Sequence, residues 1–318
     1  MGSGIDIYVQ LLKKLNSAPG YSLPKSQLQA LFSINSSELE QAVENLNSID
    51  DYIEKLPNNL RLKSPVDFLN ETYIYSKVKG KGRVEVLDTI GSTNTEMLNR
   101  AGNVATGDVL LAEHQYSGRG RRANKWTGAI GKQLTLSIGF SFPSEHSCMG
   151  FSIAVGAAVA SALDAIGIKD VFIKWPNDIY VLDRKLGGVL IESIPREHDN
   201  LVVVGLGMNV YSWKDNVLNS DYACLNSSEL KCPVKRDDLA VKIIDALRVC
   251  QKQFAIDGLS PFLDGFNKKD YLKGRRVKID LENSSVEGIA DGITSDGHLL
   301  LKTQSGVEQV SIGHVSLL

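Results

Sequence analysis

Residues 174–192, with the sequence KWPNDIYVLDRKLGGVLIE, contain two apolar β runs separated by a short polar turn at Asp183-Arg184. A turn this short joins antiparallel neighbours, whereas parallel strands need a longer crossover. The hairpin therefore disfavours a regular βαβ alternation and predicts an α+β fold with a mixed central sheet. The predicted strands are residues 83–87, 109–112, 134–142, 171–175, 179–182, 188–192 and 201–210, and the predicted helices of this region are residues 93–101, 149–166 and 237–257.

The first 65 residues have a different pattern, in which apolar side chains recur at helical spacing. The predicted helices are residues 5–16, a short segment around Leu28, and residues 36–47. Asn35, with Glu38 three residues later, is a capping-box pattern that marks the start of the third helix. Residues 52–64 then predict a two-stranded ribbon. Three helices and a ribbon predict a winged helix-turn-helix domain over residues 1–65.

From Gly274 the sequence changes to short β runs separated by turn residues. The runs are RRVKI, VEGIADGI, HLLLKT and EQVSI. This pattern predicts a small all-β, SH3-like barrel over residues 273–318. Residues 66–272 then form the central catalytic domain with the mixed sheet.

The composition gives no global charge that could recruit a partner. The net charge is −2 and 43% of the residues are hydrophobic, so nucleic acid or an anionic membrane has to be recognised locally, if at all. Residues 151–166 are apolar but too few to span a bilayer, and no signal peptide opens the chain. Cys148, Cys224, Cys232 and Cys250 have no CxxC spacing, so we expect reduced thiols, a cytoplasmic protein and no membrane partner.

Positive charge is concentrated in one segment, GRGRRANKW, which covers residues 118–126. Gly118 and Gly120 allow the backbone to turn and to approach a ligand closely. The cationic residues are Arg119, Arg121, Arg122 and Lys125. Such side chains can pair with anionic oxygens, the arginines with two bonds each. A solvated basic loop or a nucleic-acid patch is the alternative interpretation of the segment taken alone.

Polar side chains also follow two predicted strands. Lys174, Asn177, Asp178 and Lys185 are expected to lie together at one edge of the sheet, although Asn-Asp after a proline is also ordinary turn chemistry. Ser92, Thr93 and Asn94 stand at a helix start, where one of them would suffice as a cap. GLGMN at residues 205–209 lacks the third glycine of a dinucleotide fingerprint, and the chain has no Walker A motif and no metal-ligand spacing.

Four segments together resemble the biotin protein ligases in order and spacing: GSTN, AEHQYSGRGRR with a following Trp, KWPNDIYVLDRKLGGVLIE and GLGMNV. The N-terminal helices resemble the bifunctional class that also represses the biotin operon. The resemblance implies that biotin and ATP, with Mg²⁺, give biotinoyl-AMP and pyrophosphate. It implies transfer of the biotinoyl group to a lysine of the biotin carboxyl carrier protein of acetyl-CoA carboxylase. Operator DNA and a second copy of the chain, in a homodimer formed with the adenylate, are the other implied partners.

The resemblance also implies residue roles. Arg119 and Arg121 would close over the adenylate and Lys185 would bridge the biotin carboxyl and the α-phosphate, which makes these three the catalytic residues. The implied biotin-binding residues are Ser92, Thr93, Asn94, Gln115, Gly118, Arg119, Gly120, Arg121, Lys185, Gly188 and Gly205. The implied ATP-binding residues are Arg119, Arg121, Arg122, Lys174, Asn177, Lys185 and Asn209. No residue is implied as a metal ligand, and Trp126 would support the base of the loop.

The sequence departs from the family pattern in three places. Ala123 stands where a third loop glycine is usual, which could stiffen the loop. His314 and Leu318 stand where a Glu and a terminal Arg are common, so we do not expect the last strand to contribute a side chain to the site.

The predicted recognition helix carries three Glu and no Lys or Arg, and residues 1–65 contain six cations and seven anions. DNA affinity depends chiefly on phosphate neutralisation, so the alternatives are a DNA-binding domain and a degenerate one that only packs against the ligase. Two other functions stay open: a repressor that uses the adenylate only as corepressor, and a lipoate ligase. The GRGRR loop and the C-terminal barrel argue against the lipoate ligase.

Overall fold

The computed structural model describes residues 3–214, 221–230, 233–281 and 284–318. Within these residues the strands form a three-stranded sheet, a seven-stranded sheet, a five-stranded sheet and a two-stranded ribbon. Cys148, Cys224 and Cys250 are free thiols, and Cys232 lies outside the described residues.

The N-terminal part contains three helices and a small sheet. Its elements are α1 (Ser3–Ser17), β1 (Ser22–Pro24), α2 (Lys25–Phe32), α3 (Ser36–Ile49), β2 (Ile53–Lys55) and β3 (Asn59–Leu62). The predicted capping box at the start of α3 is present: Asn35 accepts from the Glu38 amide at 3.0 Å and Glu38 accepts from the Asn35 amide at 2.8 Å. Strand β1 was not predicted because three residues carry too little periodicity. It pairs with β3, so the sheet order is β1-β3-β2.

The central sheet is mixed, as predicted. Its strands are β4 (Val84–Ile90), β5 (Val109–Gln115), β8 (Gln133–Pro143), β9 (Val171–Lys174), β10 (Asp178–Val181), β11 (Arg184–Pro195) and β12 (Asp199–Asn209). The described strands follow the order β4-β5-β8-β12-β11-β10-β9, in which β4 and β5 are parallel and the other pairs are antiparallel. The predicted hairpin connects β10 to β11, and its turn residues Leu182 and Asp183 have positive φ.

Helices cover this sheet. They are α4 (Glu71–Lys77), α5 (Thr93–Asn99), α6 (Phe151–Ala165), α7 (Arg236–Asp257) and α8 (Leu263–Lys268). Helix α6 buries nine of its side chains in the main hydrophobic core, which explains why its sequence is apolar almost throughout. None of the described helices is both long and apolar enough to cross a membrane.

The C-terminal part is all β. Its strands are β13 (Arg276–Asp280), β14 (Ser285–Ile293), β15 (Leu299–Thr303), β16 (Gly306–Val310) and β17 (His314–Leu317). The four predicted runs correspond to β13–β16, and the end of the chain returns as β17 beside β13. The buried side chains of Val277, Ile279 and Leu301 belong to the same core as the central sheet, so the barrel is packed directly on the sheet.

The N-terminal core extends into the central region. Ala129, Ile130 and Trp213 are buried in the same cluster as the helices of residues 3–49. The Tyr52 hydroxyl donates to the Ile130 carbonyl at 2.8 Å. The N-terminal part is therefore held against the segment that leads from β7 to β8.

Candidate active site

A cavity of about 580 Å³ lies where the basic loop meets the central sheet. Fourteen of the fifteen predicted site residues line it. They are Ser92, Thr93, Asn94, Gln115, Arg119, Gly120, Arg121, Arg122, Lys174, Asn177, Lys185, Gly188, Gly205 and Asn209. Segments far apart in the chain thus converge on a single cavity with both neutral polar and cationic walls.

One end of the cavity is neutral and polar. Ser92 caps α5, and Thr93 donates from its amide and its hydroxyl to Gln115 Oε1, at 2.7 and 3.1 Å. The fully buried Ser137 hydroxyl lies 2.7 Å from Thr93 Oγ1 and 2.5 Å from Asn94 Oδ1. The sequence analysis missed Ser137. Its signal was the strict alternation of apolar with small or polar residues along β8.

The orientation of the Asn94 amide is fixed by three partners. Its nitrogen donates to the Leu190 carbonyl at 3.2 Å and to Glu192 at 3.0 Å, while its oxygen accepts from Ser137. A Cβ atom at Gly205 would lie 2.3 Å from that oxygen. Glycine is therefore required at position 205 if Asn94 is to keep this place in the cavity wall.

The basic loop is built on a short ribbon of β6 (Gly118–Arg119) and β7 (Lys125–Trp126). A Cβ atom at Gly118 would lie 2.5 Å from the Trp126 carbonyl oxygen. Gly118 is buried by this pairing and does not line the cavity, which corrects the prediction of a close ligand approach there. The left-handed residue of the loop is Arg122, with φ 53°, whereas Gly120 has φ −116°, which any residue adopts.

The three arginines of the loop contact protein oxygens. Arg119 Nη2 lies 2.8 and 2.7 Å from the two oxygens of Glu192, which the sequence analysis did not single out. Arg121 Nη1 donates to Asn177 Oδ1 at 3.1 Å, and burial lowers the pKa of Arg121. Arg122 Nη1 donates to a carbonyl of the barrel, that of Asp280, at 3.2 Å.

Two lysines lie at the opposite wall, on the edge of the sheet, as the motif of residues 174–192 predicted. Lys185 Nζ is 2.7 Å from Asp178 Oδ1. Lys174 is directly opposite Asp178 in the β9–β10 pair. Burial lowers the pKa of Lys174, the nearby Asp178 raises it, and Lys185 lowers it. Asp178 therefore lies between two ammonium groups at one end of the cavity.

Trp126 has more than the structural role that was predicted. A Cβ atom at Gly207 would lie 2.4 Å from the indole ring, so the ring packs directly on the backbone of β12. The indole also lines the cavity. Its buried N–H group finds no hydrogen-bond partner among the described residues.

The last strand reaches the cavity, and the expectation that it contributes no side chain there is wrong. Gly313, His314 and Val315 are part of the cavity wall. The reason is the pairing of β17 with β13, in which His314 is opposite Asp280, the residue whose carbonyl binds Arg122. The barrel and the basic loop thus meet at this wall.

Comparisons with known proteins agree with this geometry. The model for "Biotin/lipoate A/B protein ligase family" matches residues 86–209, and "Biotin protein ligase C terminal domain" matches residues 273–318. "Bifunctional ligase/repressor BirA" of Salmonella typhimurium is 35% identical over 260 residues, which cover 80% of each chain. The chain belongs to the biotin protein ligase family. "Biotin--[acetyl-CoA-carboxylase] ligase" of Mycobacterium tuberculosis is 30% identical over 80% of this chain and 97% of that protein.

A solved biotin protein ligase has the same fold. The structure titled "Biotin protein ligase from Aquifex aeolicus in complex with biotin and ATP" is 26% identical, with a TM-score of 0.64. It covers 74% of this ligase and 98% of that chain. The α+β fold with a mixed central sheet and a small C-terminal β unit is therefore confirmed for this biotin protein ligase.

One wall of the ligase cavity belongs to the N-terminal core as well. Trp213 lines the cavity and is buried in the cluster that contains Tyr52 and Val43. The sequence analysis did not predict this residue, because Trp213 is about 160 positions away from those it contacts and long-range contacts leave no local pattern.

Proposed function

We propose that this ligase joins biotin to ATP and then transfers biotin to a lysine of the biotin carboxyl carrier protein of acetyl-CoA carboxylase. In the first step a biotin carboxylate oxygen attacks the α-phosphorus, and pyrophosphate leaves. In the second step the lysine amine attacks the acyl carbon of biotinoyl-AMP, and AMP leaves. The names of the relatives support both substrates and the carboxylase acceptor.

The observation that carries the proposal is the convergence of cations from two distant segments beside a neutral polar pocket. Arg119, Arg121 and Arg122 come from the loop, and Lys174 and Lys185 come from the sheet edge. A carboxylate that attacks a phosphate brings two anions together, and fixed cations stabilise the charge of the transition state. The ureido ring of biotin carries no charge, which suits the pocket formed by Thr93, Asn94 and Gln115.

Lys185 is the residue we assign to the reacting atoms. Its backbone is fixed, because its amide donates to the Asp221 carbonyl at 2.8 Å and its carbonyl accepts from Ala223 at 2.9 Å. Its ammonium is then free to exchange Asp178 for the biotin carboxyl and the α-phosphate, both stronger anions at close range. A single oxyanion partner of this kind contributes about 3 kcal/mol to a transition state.

The loop arginines exchange partners when the anions arrive. Without ligand, Arg119 is paired with Glu192 and Arg121 with Asn177. The adenylate offers phosphate oxygens, which bind guanidinium in the same two-bond geometry as a carboxylate. A loop that closes in this way excludes water from the labile acyl-phosphate anhydride until the acceptor lysine enters.

Magnesium is assigned to the substrate rather than to the protein. No group of three His, Cys, Asp or Glu among the described residues could hold a metal ion. The amide oxygens at the nucleotide end are already used, since Asn177 Oδ1 accepts from Arg121 and Asn209 Oδ1 accepts from Gln133. These residues do not form a preformed Mg²⁺ site, and we infer that the ion enters with the phosphates of ATP.

The proposal is tested by incubating the ligase with ATP, biotin and an apo carrier domain and weighing the carrier by mass spectrometry. We expect the mass of one biotinoyl group on the carrier and a loss of about 100-fold in adenylate formation for Lys185→Ala. Lys169→Ala, at an exposed lysine outside the cavity, is the matched control. An unmodified carrier would refute the ligase and leave a sensor that uses the adenylate only as corepressor.

Calorimetry with biotin and lipoate separates the remaining ligase alternative. The buried polar network of Thr93, Asn94, Gln115 and Ser137 matches a ureido ring, whereas the dithiolane ring of lipoate offers it no hydrogen bonds. We therefore expect binding heat with biotin and none with lipoate at the same concentration. Heat with lipoate alone would reassign the substrate.

A homodimer is proposed on the edge of one strand. Residues 190–195 of β11 pair with β12 on one side, and in the described part of the chain no strand pairs with their other side. Ile194, in this segment, is an exposed apolar side chain. A second copy could add its own β11 there and extend the sheet. Sedimentation with and without biotin and ATP measures it.

Operator repression is the second candidate function. The relatives named ligase/repressor support it, as does the winged-helix arrangement of α1 to α3 with the ribbon β2–β3. The three glutamates of α3 oppose it, because like charge repels phosphate. A gel-shift titration at low salt with biotin, ATP and the candidate operator decides between the two. We assign residues 1–65 to this unit, 66–272 to the catalytic domain and 273–318 to the barrel, the last supported by the matched C-terminal family model.

A further inference from the structure

Strand β10 presents two different acceptors to the two lysines of the cavity. Asp178 and Tyr180 are two positions apart and therefore face the same side of the sheet. Asp178 is opposite Lys174 on β9, and Tyr180 is opposite Lys185 on β11. Each lysine reaches the acceptor diagonally across from it: Lys185 lies 2.7 Å from Asp178, and Lys174 Nζ lies 3.5 Å from Tyr180 Oη.

This crossing gives Lys174 an acceptor of its own. Lys185 occupies the one carboxylate between the two strands, so Lys174 donates to a hydroxyl instead. The ammonium is 5.4 Å from the centroid of the Tyr180 ring and closer to its hydroxyl, so it approaches the polar end of the ring rather than its face. The hydroxyl therefore decides the direction in which Lys174 points.

The Tyr180 ring is itself immobilised. It stacks on Tyr271 with 4.5 Å between the centroids and 29° between the planes. Tyr271 is nearly fully buried and is covered on its ring by Arg275 at 4.1 Å, which pairs with Asp183 at 3.1 Å. A side chain held on this scale places its hydroxyl within a narrow range of positions.

The groups around the hydroxyl keep it protonated. Burial raises the pKa of Tyr180 far above its ordinary value, and the neighbouring Asp178, Tyr271, Asp221 and Tyr222 raise it further. The hydroxyl is thus a neutral acceptor for the ammonium at physiological pH and does not become a charged competitor of the phosphates.

We propose that Tyr180 is a positioning residue that aims the Lys174 ammonium at the phosphates of ATP. The proposal rests on the proposed function, because it requires Lys174 to bind the nucleotide. Tyr180 does not itself touch the substrate and does not line the cavity, so it acts only through Lys174.

A double-mutant cycle tests this coupling. KM values for ATP and for biotin are measured for the unmodified chain, Lys174→Ala, Tyr180→Phe and the double variant. Phenylalanine keeps the stack on Tyr271 and removes only the hydroxyl. Because the hydrogen bond is long, we expect Tyr180→Phe to raise the KM for ATP about threefold, at the lower end for a side-chain hydrogen bond, with the KM for biotin unchanged. In the Lys174→Ala chain the same substitution should change nothing.

Tyr75→Phe, at an exposed tyrosine, is the matched control and should leave both KM values unchanged. Melting temperatures within a degree or so of the unmodified chain verify that Tyr180→Phe keeps its fold. An unchanged KM for ATP in Tyr180→Phe, or an equal increase in both backgrounds, overturns the positioning role alone. An unchanged KM in Lys174→Ala instead removes Lys174 from the nucleotide site and overturns this proposal with it.

Discussion

Asp50 and Lys132 lie 3.3 Å apart across the boundary between the N-terminal helices and the catalytic sheet. The same carboxylate accepts from the Lys214 amide at 3.0 Å. Lys132 immediately precedes β8, and Lys214 follows Trp213, which lines the cavity. One side chain of the N-terminal part therefore fixes two segments that border the active site.

Removing this side chain is expected to weaken the site from a distance. Asp50→Ala should make biotinoyl-AMP dissociate about fivefold faster, because a partly buried charged contact of this kind contributes about 1 kcal/mol. Dissociation is followed by fluorescence after mixing with excess unlabelled ligand. Asp51→Ala is the control, since its exposed carboxylate pairs with Lys63 inside the N-terminal part. Equal rates in both variants would mean that the boundary does not influence the site.

The sequence predicted the parts of the site that depend on local pattern. The mixed sheet followed from a hairpin of residues 174–192, and the polar strand ends at Lys174 and Lys185 do lie together at the sheet edge. Fourteen of the fifteen predicted residues line one cavity, because a family motif records side chains that converge on a common ligand.

Contacts between distant segments left no such record. The pairing of Arg119 with Glu192 joins positions 73 apart, and neither residue type demands the other. Gly118 was misassigned because a glycine that allows close backbone pairing and one that admits a ligand look alike in a sequence. His314 was set aside on its residue type, although strand pairing brings the position to the cavity.

A methyl group at position 205 should block biotin and spare ATP. In Gly205→Ala the added Cβ would lie 2.3 Å from Asn94 Oδ1, so either the asparagine or the ligand has to move. We expect the affinity for biotin to fall at least about tenfold, from a lost buried hydrogen bond and steric strain. Calorimetry with biotin measures the loss. Gly102→Ala, where an added Cβ has nothing within 4 Å, is the control; a similar loss there would remove the steric explanation.

The buried ion pair beneath the sheet is expected to dominate the stability of the catalytic part. Glu113 and Arg236 are fully buried at 2.6 Å, and Glu113 also accepts from the Leu69 amide. Glu113→Gln leaves the guanidinium without its counter-charge and should lower the free energy of unfolding by about 3 kcal/mol. Urea titration followed by circular dichroism measures it. Asp264→Asn, in the exposed pair with Lys268, should cost almost nothing. A loss below about 1 kcal/mol for Glu113→Gln would show that the pair is dispensable.

The pH dependence of ATP binding should depend on Lys174. Burial lowers the pKa of its ammonium, and the charge of Lys185 lowers it further against the opposing effect of Asp178. The charge that attracts the phosphates is therefore complete below the lowered pKa, and it is lost at a lower pH than for an exposed lysine. The KM for ATP should rise between about pH 8 and about pH 10, while the KM for biotin should not follow it.

Lys174→Arg separates this lysine from every other titrating group. A guanidinium keeps its proton throughout that range, so the variant should bind ATP with a KM that stays flat where the KM of the unmodified chain rises. Initial rates of adenylate formation at each pH give both curves. If the two curves rise in parallel, the titrating group is a different one, and the ammonium of Lys174 does not contribute its charge to the nucleotide.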